Sequence, residues 1–169
     1  MELQKISGAS ALRLLMAVLV LASPRAFAHV NLEYGVAPAG SSYKATFKVG
    51  HGCDKSPTRQ VSVDIPAGVK NAKPMPKPGW TLEVQPARIT WTARTAADML
   101  PDAHYDEFVL VARMPEQPGT LHWPVRQVCE SGRHDWIEVP RPGQNPADLK
   151  SPAPALEILP GSGAGGHKH

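Results

Sequence analysis

Proline is spread along the whole chain, and it restricts the fold more than any other feature of the sequence. The 169 residues include 18 prolines. A proline inside a helix costs about 3 kcal/mol, because it lacks an amide hydrogen and clashes with the preceding turn. A helical bundle is therefore excluded, and we expect short strands between the prolines, with no helix longer than about two turns.

Alternating or apolar segments lie between these breakers and predict strands. In residues 61–65 the apolar side chains fall at every second position, the period of a half-buried strand. Residues 108–111 are continuously apolar, which predicts a central strand buried on both faces. The pattern favours an all-β sandwich, immunoglobulin-like or cupredoxin-like, with Greek-key-type connections. The predicted strands are His29–Tyr34, Tyr43–Val49, Gln60–Ile65, Trp80–Val84, Arg88–Thr92, Tyr105–Ala112, Leu121–Arg126 and Asp135–Val139, with single helical turns at Asp98–Ala103 and Asn145–Lys150.

The N-terminus has the pattern of a secretory signal. Lys5 and Arg13 lead into the apolar run 14–22, and Ala26-Phe27-Ala28 has the small-x-small pattern of a cleavage site. The run is well short of the roughly 20 residues that cross a bilayer, so an uncleaved anchor is the weaker alternative. We expect a periplasmic mature chain without a membrane span. The expected parts are a signal peptide at 1–28, one domain at 29–160 and a flexible Gly/His tail at 161–169.

Two cysteines, Cys53 and Cys129, are too few for a four-thiolate zinc site. In an oxidising compartment they predict a disulfide that closes a loop of about 77 residues and contributes roughly 4 kcal/mol. The alternative is a pair of thiolates that holds a soft metal ion. A formal net charge of +3 without a basic cluster gives no support to nucleic-acid binding. No nucleophile elbow, phosphate loop or His-Glu-x-x-His motif indicates an enzyme.

Cleavage after Ala28 would make His29 the first residue. Its α-amine and its imidazole Nδ1 could then chelate one metal ion, and the low pKa of an α-amine, about 7.7–8.0, lets a metal displace the proton near neutrality. Two nitrogens in a plane suit Cu(II). The alternative is that His29 follows the cleavage site by chance.

Co-ligands for such an ion lie in two segments next to the cysteines. His51 and Asp54 flank Cys53, whereas His134 and Trp136 follow Cys129. A disulfide would bring the two segments together. Taken singly, these residues also have structural explanations, since His51 could cap a turn, Asp54 could bond local backbone and Trp136 could belong to the core. His167 and His169 in the tail are accessory ligands at best, because ordering a flexible tail costs entropy.

The same motifs give a resemblance to a known family. The segments His29-Val30-Asn31-Leu32-Glu33, His51-Gly52-Cys53-Asp54, Lys77-Pro78-Gly79-Trp80, Gln127-Val128-Cys129-Glu130 and Trp136-Ile137-Glu138-Val139-Pro140 resemble the YcnI-like family, domain of unknown function 1775. The match extends from His29 to about Pro160. The resemblance implies an exported copper-binding sandwich that works with other periplasmic or inner-membrane copper-handling proteins.

The resemblance also implies a ligand set. Family members bind Cu(II) through an N-terminal histidine in a monohistidine brace, which a carboxylate assists and a tryptophan flanks. The brace corresponds to His29 and the tryptophan to Trp136. Gram-positive members carry Glu where this chain has residues 51–54, so Asp54 is the best stand-in, with His51 and Glu33 as alternatives.

The function expected from these observations is Cu(II) sequestration or delivery without turnover. The runner-up is a copper-dependent oxidative enzyme similar to lytic polysaccharide monooxygenases. Those enzymes place a second histidine across the copper, a position that only His51 or His134 could take here. A third possibility is an adhesion or receptor sandwich without affinity for copper.

Overall fold

Twelve strands and two 3-10 turns make up the regular structure of residues 29–161, the part of the chain that the computed structural model describes. The predicted signal peptide and residues 162–169 of the predicted tail lie outside the described residues. The strands are β1 (Asn31–Leu32), β2 (Val36–Pro38), β3 (Ser42–Val49), β4 (Thr58–Asp64), β5 (Lys70–Pro74), β6 (Trp80–Gln85), β7 (Arg88–Ala93), β8 (Asp106–Arg113), β9 (Gly119–His122), β10 (Val125–Cys129), β11 (Arg133–Trp136) and β12 (Ala155–Leu159), with 3-10 turns at Ala96–Asp98 and Pro146–Asp148.

Across the described residues the strands form three sheets. Their orders are β1-β3-β8-β5, β11-β10-β4-β7-β6 and β2-β12-β9. Every pairing is antiparallel except the parallel pair of β2 and β12. Strands distant in sequence are neighbours, as Greek-key-type connections require. The predicted β-sandwich is confirmed.

The core lies between the first two sheets. Phe108 of β8 contacts the indoles of Trp80 and Trp91 across the gap, with ring centroids 5.1 and 5.7 Å apart. Phe47 of β3 packs edge-on against Trp123 at 5.7 Å. Aromatic pairs in such geometries contribute about 0.5–1.5 kcal/mol beyond their buried area. These contacts hold the two sheets together as one hydrophobic core.

Several predicted boundaries are wrong, for identifiable reasons. The predicted strand Leu121–Arg126 is two strands, because Pro124 has no amide hydrogen for a ladder and the chain changes sheets there. In the apolar run of β8, Val111 is 44% exposed and only the preceding residues are buried on both faces. The last predicted strand ends at Trp136 rather than Val139. Strands β2, β5 and β12 are absent from the prediction.

The predicted disulfide between Cys53 and Cys129 is confirmed, with the two Cα atoms 5.9 Å apart. It joins the loop before β4 to the end of β10. The bond therefore places residues 51–56 beside β11, the edge strand that pairs with β10. Within residues 29–161, no helix is long and apolar enough to cross a membrane.

Candidate metal centre

Four aromatic rings form a continuous row beside edge strand β11. The imidazole of His29 meets the indole of Trp136 edge-on, with ring centroids 5.2 Å apart. On the same indole lies the imidazole of His134, tilted by 36° at 5.1 Å. His51 follows, with its ring 5.8 Å from that of His134. The row brings together four of the residues that the sequence selected as metal ligands or their neighbours.

Strand geometry explains the middle of the row. Residues two apart in a strand point to the same face, so β11 presents His134 and Trp136 together. Trp136 is only 3% exposed and belongs to the core, whereas His134 is half-buried. His29 precedes β1, and the buried side chain of Val30 anchors it. Trp136 therefore belongs to the hydrophobic core, as the alternative interpretation expected, and it also contacts His29.

A tight turn holds His51 and Asp54. The backbones of Cys53 and Ser56 exchange two hydrogen bonds, and Asp54 and Lys55 between them have φ of 47° and 70°. Two positive φ values at the tip are typical of a type I′ turn. A Cβ on Gly52 would lie 1.9 Å from the carbonyl oxygen of Ser56, so only glycine fits there. Asp54 is thus exposed at the tip of the turn.

Hydrogen bonds orient the imidazole of His51. Its Nδ1 lies 2.5 Å from the carbonyl oxygen of Gly52. A carbonyl accepts only, so Nδ1 carries the hydrogen and Nε2 carries the lone pair in the neutral ring. In metal sites a backbone carbonyl often sets the histidine tautomer in this way.

Burial lowers the pKa of His134, and the neighbouring His51 lowers it further, whereas Asp54 and Asp135 raise it. The net shift is downward. His134 is therefore neutral near pH 7, which is the form that binds metals.

Gln127 is the residue of this site that sequence reasoning missed. It is 1% exposed, and its Nε2 donates to the carbonyl oxygen of His51 at 2.6 Å and to Oγ1 of Thr58 at 2.7 Å. Its Oε1 accepts a bond from Nε1 of Trp136 at 3.3 Å. One amide thus connects the loop of His51 to the indole. The sequence signal that could have identified Gln127 is its polar side chain at an inward position of β10, between Val125 and Cys129.

Replacing Gln127 with Leu should lower the free energy of unfolding by about 2–4 kcal/mol. The change leaves the carbonyl of His51, the hydroxyl of Thr58 and the N–H of Trp136 buried without their partner, and each such loss costs about 1–3 kcal/mol. Urea denaturation followed by tryptophan fluorescence measures the difference. The matched control, Gln85→Leu on the exposed end of β6, should change stability by less than about 0.5 kcal/mol. Equal effects of the two substitutions would contradict the bridging role.

The carboxylates differ in their availability to a metal ion. Glu33 forms an ion pair with Lys48 at 3.0 Å, which makes it the least suitable of the three candidates. Asp54 is exposed at the tip of the turn that follows His51. Within residues 29–161, no group of three or more histidine, cysteine or carboxylate side chains is arranged to hold a metal ion.

A cavity of about 680 Å³ opens beside His29. Its walls are mostly apolar, and His122 and Arg141 supply polar groups. Burial lowers the pKa of His122, so that this imidazole is neutral near pH 7. The remaining wall is built by prolines and small apolar residues, among them Pro146, Leu149 and Pro152.

Comparison with known proteins places the chain in a family. The family described as Domain of unknown function (DUF1775) matches residues 29–88 and 85–158. The chain belongs to the DUF1775 family. The resemblance drawn from the sequence motifs is thereby confirmed at the level of the family. No protein with a curated description matches this DUF1775 protein.

Solved structures resemble this DUF1775 protein in fold. An uncharacterized protein from Nocardia farcinica with an immunoglobulin-like fold is 25% identical, covers 78% of this chain and 98% of its own, and has a TM-score of 0.66. A type I cohesin from Pseudobacteroides cellulosolvens is 9% identical, covers 83% of this chain and 97% of its own, and has a TM-score of 0.47. The Nocardia protein supports the immunoglobulin-like form of the sandwich.

Proposed function

We propose that this DUF1775 protein is an exported copper-binding protein that holds Cu(II) at His29 and passes it to other copper-handling proteins of the periplasm or inner membrane. The observation that supports the proposal is the position of the His29 imidazole. Its imidazole packs against the buried indole of Trp136 at the head of a row of histidines. It is also the residue that cleavage behind Ala26-Phe27-Ala28 would expose.

The ligands follow from the chemistry of that terminus. After cleavage, the α-amine and Nδ1 of His29 form a chelate for one Cu(II) ion, and a planar nitrogen pair suits this ion. Of the other candidate ligands, His51 stands beyond Trp136 and His134 in the row, so Asp54 is the side-chain candidate for a further position and water fills the rest. A centre held by so few protein ligands leaves positions that a partner protein can occupy. Such open positions are what transfer without turnover requires.

Trp136 covers one side of the proposed ion. Replacing Trp136 with Phe should keep copper bound but change the visible and paramagnetic resonance spectra, because a smaller ring leaves the axial side of the ion open to water. Spectra of the copper-loaded chains, recorded at equal copper occupancy, measure the effect. The matched control is Trp80→Phe, which alters a core indole in contact with Phe108. Identical spectra for wild type and Trp136→Phe would assign Trp136 to the core alone.

Paramagnetic resonance of the copper-loaded mature chain tests the proposal directly. We expect nitrogen hyperfine lines from the amine and from the imidazole of His29. A His29→Ala chain should lose the imidazole lines and bind copper more weakly. A spectrum that is unaffected by this substitution would refute a copper centre at His29.

The cavity beside His29 favours a second candidate function, a copper-dependent oxidative enzyme. A space of about 680 Å³ next to a proposed copper ligand could admit a small substrate. Copper-loaded protein supplied with reductant and peroxide separates the two functions. Delivery without catalysis predicts no sustained turnover, whereas many oxidation events per copper ion would favour the enzyme.

A further inference from the structure

We propose that this protein has a second metal position, in which the imidazoles of His51 and His134 bind a transition-metal ion of their own. The position requires neither the terminal amine nor the imidazole of His29. In the row of ring contacts, the indole of Trp136 stands between His29 and this histidine pair. The inference goes beyond the proposed copper function and does not depend on it.

The spacing of the two rings suits one shared ion. With metal–nitrogen distances of about 2.0–2.1 Å, each ring centre lies roughly 3.2 Å from a bound ion. Ring centres 5.8 Å apart then subtend about 130° at that ion, between the tetrahedral and linear angles. The present spacing of the two rings is therefore compatible with one shared ion.

Strand pairing, a hydrogen bond and the disulfide hold the backbone at both histidines in place. His134 lies directly opposite Gln127 in the ladder of β10 and β11. The amide of Gln127 in turn holds the carbonyl oxygen of His51. The disulfide at Cys53 fixes the same loop two residues further on. Support of this kind reduces the entropy that metal binding must overcome.

A hydrogen bond also defines which nitrogen of His51 faces a metal ion. Because Nδ1 of His51 donates to the carbonyl of Gly52, Nε2 is the nitrogen that binds. Two imidazoles suit Zn²⁺ and Cu²⁺ better than Mg²⁺ or Ca²⁺, which prefer oxygen ligands only. Water completes the coordination.

The test uses the mature chain with two prolines added before His29, and with His167→Ala and His169→Ala in all samples. These changes disable the terminal chelate and remove the tail histidines. Zn²⁺ is the probe, because it has a single oxidation state. In this background we expect one bound ion by calorimetry, and His51→Ala or His134→Gln should each weaken binding at least about tenfold. The matched control His104→Ala removes an exposed histidine and should leave binding unchanged.

NMR of the imidazole protons provides a measurement that needs no variant of the site. Zn²⁺ should shift the resonances of His51 and His134 together, at one equivalent, and leave His104 in place. Absence of a bound ion in the extended chain, or unchanged binding after both substitutions, would overturn the second position. Failure of the His29 centre would appear separately, as unchanged Cu(II) affinity on adding the two prolines. Thermal unfolding confirms that each variant is folded.

Discussion

Two prolines added before His29 should weaken Cu(II) binding by at least about a hundredfold. The extension turns the α-amine into an amide, and because the amide between the two prolines has no hydrogen to lose, the new terminal amine cannot join the ring in a fused chelate, so the ion loses one half of its ligand pair. Two ligands on one residue bind the same ion with a high effective concentration, which raises affinity by about 10²–10⁴ over separate ligands. Competition against a chelator of known Cu(II) affinity measures the loss.

The control for this experiment is a pair of prolines added after His169, at the opposite end of the chain. It changes mass and length equally but leaves the first residue intact, so Cu(II) affinity should stay at the wild-type value. Equal affinities of the N-terminally extended chain and this control would rule out a chelate at His29. Thermal unfolding of both chains should agree, because β1 begins only at Asn31.

Replacing Cys53 and Cys129 with Ala should lower the free energy of unfolding by about 4 kcal/mol. The bond closes a loop across 76 residues of sequence, and its loss frees that loop in the unfolded chain. Urea denaturation of the double variant measures the change. Wild-type protein unfolded under reducing conditions is the matched control, and it should show the same loss. A difference below about 1 kcal/mol would show that the unfolded chain is restricted by other means.

The same variant should disturb the candidate site. Residues 51–56 would keep their turn but lose the covalent bond to β10, so the rings of His51 and His134 would no longer be held at one spacing. The bond from Gln127 to the carbonyl of His51 would remain as the connection. Nuclear Overhauser contacts between the two imidazoles, present in the wild type, should weaken in the double variant.

Strand prediction succeeded where local pattern and burial agree. Residues 61–65 alternate in sequence, and their strand is central in its sheet, between β10 and β7. Strand β5 was missed because its sequence, KNAKP, has no apolar period and pairs irregularly with β8. Strand β2 has three residues, and only its partner β12 defines it. Pairing partners distant in sequence supply the information that such segments lack.

For the site, sequence reasoning found the residues but not their arrangement. The disulfide predicts that His51 lies near His134 and Trp136, whereas the predicted strand Asp135–Val139 begins too late to include His134, which the observed strand contains. The order of the rings along the row depends on side-chain packing, which no sequence period encodes. Gln127 was missed because a lone polar residue in an apolar strand becomes informative only when its partners are known.

The parallel pairing of β2 with β12 connects the segment just after β1 to the last strand of residues 29–161. The two strands are more than a hundred residues apart in sequence. Pairing them costs the entropy of closing a long loop, and contacts of this kind slow folding. The segment after β1 is therefore fastened only once residues 155–159 are available to pair with it.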